Sequence, residues 1–191
     1  MLIRKVQLLK TIEWLKQNHT DFKNVAEELF QFNYADYDAA FNISRITVPA
    51  SSYVRVPVYA DACCAILMLW GAHDCSAIHD HLNYDGLIKV LKGNLTEISY
   101  GEEGNFIKKI GEGIASEGTV FAEALGGIHS VVNNLSRLSV SLHVYRTPQT
   151  TLNGVRIFDV EHRRTGYLNE KAPSCSWALP ADNFQKIVEV A

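Results

Sequence analysis

The chain has 191 residues, 47% of them hydrophobic and 20% charged, with a formal net charge of -3 and a pI near 6.1. That is long enough for one domain with a closed core, and the charge gives no reason to expect nucleic acid or an anionic membrane as partner. There is no run of apolar residues long enough to span a membrane, Met1-Leu2-Ile3-Arg4-Lys5 lacks the pattern of a signal peptide, and Cys63, Cys64, Cys75 and Cys175 have no zinc-ribbon spacing, so reduced thiols in a cytoplasmic protein are expected.

Residues 1–43 read as helical. Leu8, Ile12 and Leu15 recur at helix spacing, and Val25, Ala26, Leu29 and Phe30 repeat the pattern, with Thr20 or Asp21 as N-cap of the second helix. From Ile46 the pattern changes to short strands separated by turn residues. The candidates are 45–49, 53–58, 63–70, 77–81, 86–91, 94–100, 117–122, 128–133, 137–145 and 154–160, with turns at Lys92-Gly93-Asn94, Gly101-Glu102-Glu103-Gly104 and Gly126-Gly127. Short strands at roughly ten-residue spacing point to a sandwich or barrel. The expectation is a single, mainly β domain over 1–191, with the 1–43 helical segment packed on it.

Two histidine stretches stand out. In Ile78-His79-Asp80-His81 the two imidazoles leave one face of a strand, whereas Asp80 points to the other. In Gly126-Gly127-Ile128-His129 a third imidazole is available, with Asn133 four residues on. Three histidines around one ion leave coordination positions open, the condition for catalysis rather than for structural binding. Imidazole suits iron, zinc, copper and nickel alike, so the ligand type does not choose the metal. In Ser141-Leu142-His143-Val144-Tyr145, alternation places Ser141, His143 and Tyr145 on one face. An inward polar row is costly unless its groups bond one another or a ligand, which suggests a relay ending at the Tyr145 hydroxyl. His19, His73 and His162 read as surface residues, Asp85 as a solvated turn charge and Cys75 as a buried thiol. Glu97 and Glu123 are candidates for supporting the ligands, although nothing in the sequence requires it.

The stretch Gly71-x7-His79-x-His81-x4-Gly86-x6-Gly93 resembles the first cupin motif, and Gly118-x5-Ala124-x-Gly126-x2-His129-x3-Asn133 the second. The fold implied is a cupin jelly-roll β-barrel. Gly86 stands where many cupins carry a glutamate ligand, and Ala124 where the second motif has proline. The shell expected is therefore three neutral imidazoles, His79, His81 and His129. More narrowly, Trp70-Gly71, Ser76 to His81, Leu87 to Glu97, Ser141 to Tyr145, Phe158-Asp159 and Arg164-Thr165-Gly166 are similar in order to the type I cysteine dioxygenases, over roughly residues 53 to 167.

That resemblance implies one Fe(II) per chain, held by His79, His81 and His129. It implies substrate-binding roles for Arg55 and Tyr53, with Arg55 gripping a carboxylate, and catalytic roles for Tyr145, His143 and Ser141. The activity implied is oxidation of L-cysteine by O2 to cysteine sulfinate in a monomer. The alternatives are 3-mercaptopropionate or another small thiol as substrate, or a metal-binding cupin sensor without redox turnover. Animal relatives carry a cysteine, crosslinked to the tyrosine, at the position of Gly86, so Tyr145 is expected as a free phenol. Arg146-Thr147-Pro148 departs from the family's loop after that tyrosine.

Overall fold

The computed structural model describes residues 2–49, 53–81 and 83–190. Helices α1 (Leu2–Gln17), α2 (Phe22–Phe30) and α3 (Tyr34–Phe41) occupy the N-terminal region, as the apolar spacing predicts. Asp21 is the N-cap of α2, its side chain accepting from the Asn24 N–H at 3.0 Å. A reciprocal capping box of Asn33 and Asp36 opens α3, and Asn42 closes it in the left-handed region at φ 54°. At the far end of α2 the Lys89 ammonium donates to the Phe30 carbonyl, which ties the helix to the sheet beneath it.

Twelve strands follow among the described residues: β1 (Val54–Ala60), β2 (Cys64–Trp70), β3 (Ile78–Asp80), β4 (Gly86–Lys92), β5 (Asn94–Glu103), β6 (Phe106–Ser116), β7 (Val120–Glu123), β8 (Ile128–Val132), β9 (Ser139–Tyr145), β10 (Arg156–Asp159), β11 (Arg164–Leu168) and β12 (Phe184–Glu189). They form two antiparallel sheets, one in the order β1-β2-β9-β4-β7 and the other β12-β11-β10-β3-β8-β5-β6. This is the double-sheet jelly-roll arrangement.

Two apolar cores flank the five-stranded sheet. On its outer face Leu67, Leu69, Leu142 and Val144 meet Leu15, Val25 and Leu29 of the helices. On its inner face Ile66, Met68, Trp70 and Val90 meet residues of the other sheet such as Leu95 and Ile157. Strand β2 is consequently buried at all seven positions, because the helices cover the face that an ordinary sandwich leaves wet.

Several boundaries differ from the sequence reading. The strand predicted over 45–49 is absent: Ile43–Arg45 form a 3-10 turn, and Ile46 and Val48 pack against the helical core without pairing to a strand. Strands β6, β11 and β12 were not predicted. The turn expected over 101–104 falls at its end, since β5 continues to Glu103 and Gly104 turns the chain at φ 60°.

Candidate metal centre

His79 lies on β3, His81 just beyond its end and His129 on β8. Pairing of β3 with β8 puts His79 directly opposite His129. All three imidazoles are buried, and their ring nitrogens converge within 4.8 Å of one another. His81 Nε2 stands 3.4 Å from His79 Nε2 and 3.1 Å from His129 Nε2. Two rings are braced from behind: His79 Nδ1 lies 2.9 Å from the Ala77 carbonyl, and His129 Nδ1 lies 2.8 Å from Glu97 Oε1. Donation through Nδ1 leaves both Nε2 lone pairs turned inward, the tautomer that a metal ion requires.

The second motif has a structural reason for its asparagine. Asn133 is fully buried at the end of β8, and its amide donates to the carbonyls of Trp70, Gly71 and Arg137 at 3.1, 2.7 and 2.8 Å. Its own oxygen accepts from Ser139 Oγ and the Leu135 N–H. One side chain therefore joins the strand that carries His129 to β2 and β9. Asp80, as alternation predicts, turns away from the triad and pairs with Arg156.

The polar row of β9 forms the expected chain. Trp70 Nε1–H donates to Ser141 Oγ at 3.0 Å, Ser141 Oγ lies 2.8 Å from His143 Nε2, and His143 Nδ1 lies 2.8 Å from the Tyr145 hydroxyl. With Trp70 donating to Ser141, the serine proton is free for Nε2. The ring then carries its own proton on Nδ1 and donates it to Tyr145, so the phenol O–H points onward. Tyr145 is a free phenol facing Gly86, its register partner on β4. A Cβ built at Gly86 would stand 2.6 Å from Tyr145 Cδ1 and 2.9 Å from the Val144 carbonyl oxygen, so a side chain here would require the ring or the strand to shift.

Two residues beside the triad lie outside the shell expected from the sequence. The Tyr84 ring lies 4.9 Å from that of His81 and 5.1 Å from that of Tyr145, walling the space between them. Glu123, at the end of β7, is buried beside the imidazoles, with Oε1 3.3 Å from His129 Nε2 and 3.8 Å from His143 Nδ1, and Oε2 3.4 Å from His81 Nδ1. Glu97 and Glu123, named from the sequence as candidates for supporting the ligands, both lie beside the three imidazoles.

Burial governs the charges here. It pushes His79 down to about 3, with His129 adding to the effect. It holds His81 and His143 well below the ordinary histidine range as well, aided by neighbouring imidazoles. Burial also presses His129 downward, but Glu123 and Glu97 together outweigh it and leave this one ring raised. Glu123 is lifted by burial to about 7 against the opposing pull of His129. Burial, with Glu123 beside it, keeps Tyr145 a protonated phenol. Neutral imidazoles beside a titratable carboxylate suit a cation better than an anion.

A cavity of about 280 Å³ borders the centre, lined by His81, His129, Glu123, Glu97, Ser99 and Tyr100 among others. A second, of about 310 Å³, is lined by Arg55, Tyr53, Ile66, Thr150 and Pro173. Among the described residues Arg55 Nε is buried without a hydrogen-bond partner, and the guanidinium charge reaches far enough to depress His79 and His143. Tyr53 stacks on Trp70 with ring centroids 4.5 Å apart, and its hydroxyl accepts from the Cys175 N–H.

The remaining candidates lie elsewhere. His19 pairs with Asp61, His162 with Asp159, and both are exposed, as is His73. Asp85 is not a lone solvated charge but pairs with Arg146. Cys75 is exposed rather than buried, because its backbone bridges Val132 at the rim of the sheet and leaves the thiol outside.

A jelly-roll sandwich in which three imidazoles converge on one point defines a cupin with a metal-binding centre. More narrowly, the family model for cysteine dioxygenase type I matches residues 7–159, and the chain belongs to that family. It is 30% identical to cysteine dioxygenase type 1 of Homo sapiens over 110 residues, 55% of this chain and 52% of that protein, and equally similar to the Mus musculus protein. The chain thus spans about half the length of the curated relatives it matches. Among solved structures it is similar to TT1209 from Thermus thermophilus, at a TM-score of 0.43 and 19% identity over 52% of this chain and 88% of that one. It is also similar to the Schizosaccharomyces pombe Cnp3 cupin domain, at a TM-score of 0.45 and 10% identity over 55% and 71% of the two chains.

Proposed function

We propose that the protein is a non-haem iron thiol dioxygenase that oxidises L-cysteine with O2 to cysteine sulfinate, with one Fe(II) per chain. The observation that carries this reading is the juxtaposition of three inward-facing imidazoles with a hydrogen-bonded Ser141–His143–Tyr145 chain in one buried site. Residues His79, His81 and His129 would hold the metal through imidazole nitrogens, which carry no negative charge and so leave the ion charge available to incoming ligands. When bound, Fe(II) supplies the Lewis acidity that turns a substrate thiol into a thiolate, and the redox chemistry needed for O2.

The residues of the chain do the rest. Arg55 grips the substrate carboxylate, since a guanidinium fixes both charge and orientation through paired hydrogen bonds. Tyr53, stacked on Trp70, forms the wall beside it. Tyr145 presents its O–H to the reacting sulfur and oxygen atoms, aimed by His143, which Ser141 and Trp70 hold in one tautomer. Both oxygen atoms enter the sulfinate and the thiol sulfur supplies the four electrons, so no organic reductant is required.

The test is oxygen uptake by protein loaded anaerobically with Fe(II) and then given cysteine, 3-mercaptopropionate or cysteamine. Uptake with cysteine, matched one to one by sulfinate, is expected. Uptake confined to 3-mercaptopropionate would reassign the substrate, and no uptake with any thiol would return the protein to the class of non-redox metal-binding cupins.

A further inference from the structure

The two cavities described above lie at opposite sides of the sandwich. Each sheet ends in two edge strands, β1 and β7 in one and β12 and β6 in the other. The Arg55 cavity lies between β1 and Pro173, which belongs to the connection from β11 to β12. The cavity beside the triad lies between the other two edges, bounded by Ile110 of β6, Ala122 of β7 and Ala124 just beyond it. Its rim is open: Ile110 is 65% exposed, and both alanines are exposed. Its floor is buried and holds His81 and His129. Two of the three imidazoles are therefore reached from the surface without passing Arg55.

The charge along the two passages differs in sign. Glu97 and Glu123 line the one beside the triad, and they do so at graded depth. The Glu97 side chain is 27% exposed and its Oε1 reaches His129 Nδ1 at 2.8 Å, whereas Glu123 is 3% exposed, next to His129 and His81. Charges on the neighbouring edge cancel in pairs, Lys109 with Glu112 and Lys108 with Glu103. In the other cavity the charged group among the described lining residues is Arg55. A cleft walled by one sign of charge concentrates ions of the other sign and speeds their arrival by about 10- to 1,000-fold.

We propose that the gap between β6 and β7 is a cation port, through which a divalent metal ion reaches His81 and His129 past Glu97 and Glu123. The carboxylate-bearing thiol enters from the opposite edge, over Arg55. This inference rests on the metal reading of the triad and adds a division of labour to it. Arg55 repels a divalent cation from the substrate side, and the two carboxylates repel an anionic substrate from the metal side. Glu97 thereby serves twice, as a step on the path and as the brace of His129.

The experiment is stopped-flow Co(II) binding to the full chain, followed by visible absorption at low and at high salt. The proteins are wild type, Ala122→Lys, Ala124→Lys, Thr150→Lys and His129→Ala, each checked for folding by circular dichroism. Ala122 lies in a strand and Ala124 outside it, both at exposed positions, so either variant suffices if the other is unstable. A positive charge at the port is expected to slow Co(II) association by about 10-fold at low salt, with the effect shrinking at high salt. The absorption bands at saturation, which report the ligand set, should match those of wild type. Thr150→Lys, which adds the same charge to the Arg55 cavity, should change the association rate by less than about twofold. Wild-type rates in the two alanine variants, or equal slowing by Thr150→Lys, would overturn the port and leave the triad standing. Absence of Co(II) bands in wild type, or undiminished binding by His129→Ala, would overturn the triad and the port with it.

Discussion

At the scale of single residues, the site divides by how far apart in the chain its contacts lie. His79 and His81 share a face by simple alternation, and the Ser141–His143–Tyr145 row follows the same rule on β9, so both were legible in the sequence. Glu123 could be named only as a candidate, since its place beside the imidazoles depends on the pairing of β7 with β4, which no local pattern encodes. Tyr84 was equally hidden, because it lies in a connection whose path is set by the flanking strands. Arg55 provides the sharpest test of substrate recognition. Loss of hydrogen bonds to a charged group costs about 1.5–3 kcal/mol, so Arg55→Ala is expected to raise KM for cysteine by about 10- to 100-fold. The KM for cysteamine, which has no carboxylate, should change by less than about twofold. Equal effects on both, in steady-state oxygen uptake, would remove Arg55 from the carboxylate role. Tyr145→Phe keeps the ring against Gly86 but deletes the hydroxyl, and a fall in kcat of about tenfold or more with little change in KM is expected. An unchanged kcat would reduce the relay to packing.

At the scale of elements, the sequence reading succeeded where a strand is buried on one face or a helix has an apolar stripe. It failed at β6, where Lys108, Lys109, Glu112 and two glycines interrupt alternation along an exposed edge of the sheet. It failed also at β11 and β12, short partners at the opposite edge. The segment 45–49 shows the reverse error: its β-branched residues suit a strand, but no neighbour pairs with it. Asn133 illustrates how one side chain fixes an element. Replacement by alanine leaves the carbonyls of Trp70, Gly71 and Arg137 without their donor, so Asn133→Ala is expected to cost about 2–4 kcal/mol in denaturant unfolding. A loss below about 0.5 kcal/mol would mean that other contacts hold β8 in place. Leu29, fully buried where α2 meets the sheet, should cost about 2–5 kcal/mol when cut to alanine.

At the scale of the whole molecule, the architecture places rigid layers on both sides of the chemistry. The helices cover the outer face of the sheet that carries β9, and the second sheet delivers β3 and β8 to the same interior. No helix among the described residues is long and apolar enough to cross a membrane. Because the three histidines come from β3, the residue that follows it and β8, an ion that binds them ties together parts of the folded sheet that separate on unfolding. Metal at 100 times its dissociation constant should therefore add about 2.7 kcal/mol of stability. A rise in Tm that saturates near one equivalent of metal is the expected scan result, and a Tm indifferent to metal would argue against a site built only by the fold.

The central claim, a metal held by His79, His81 and His129, is tested most directly by the metal content of His129→Ala beside wild type after anaerobic Fe(II) loading and desalting. Wild type should retain one iron per chain, and the variant, folded by circular dichroism, less than about a tenth of that. Stoichiometric iron in the variant would contradict the claim.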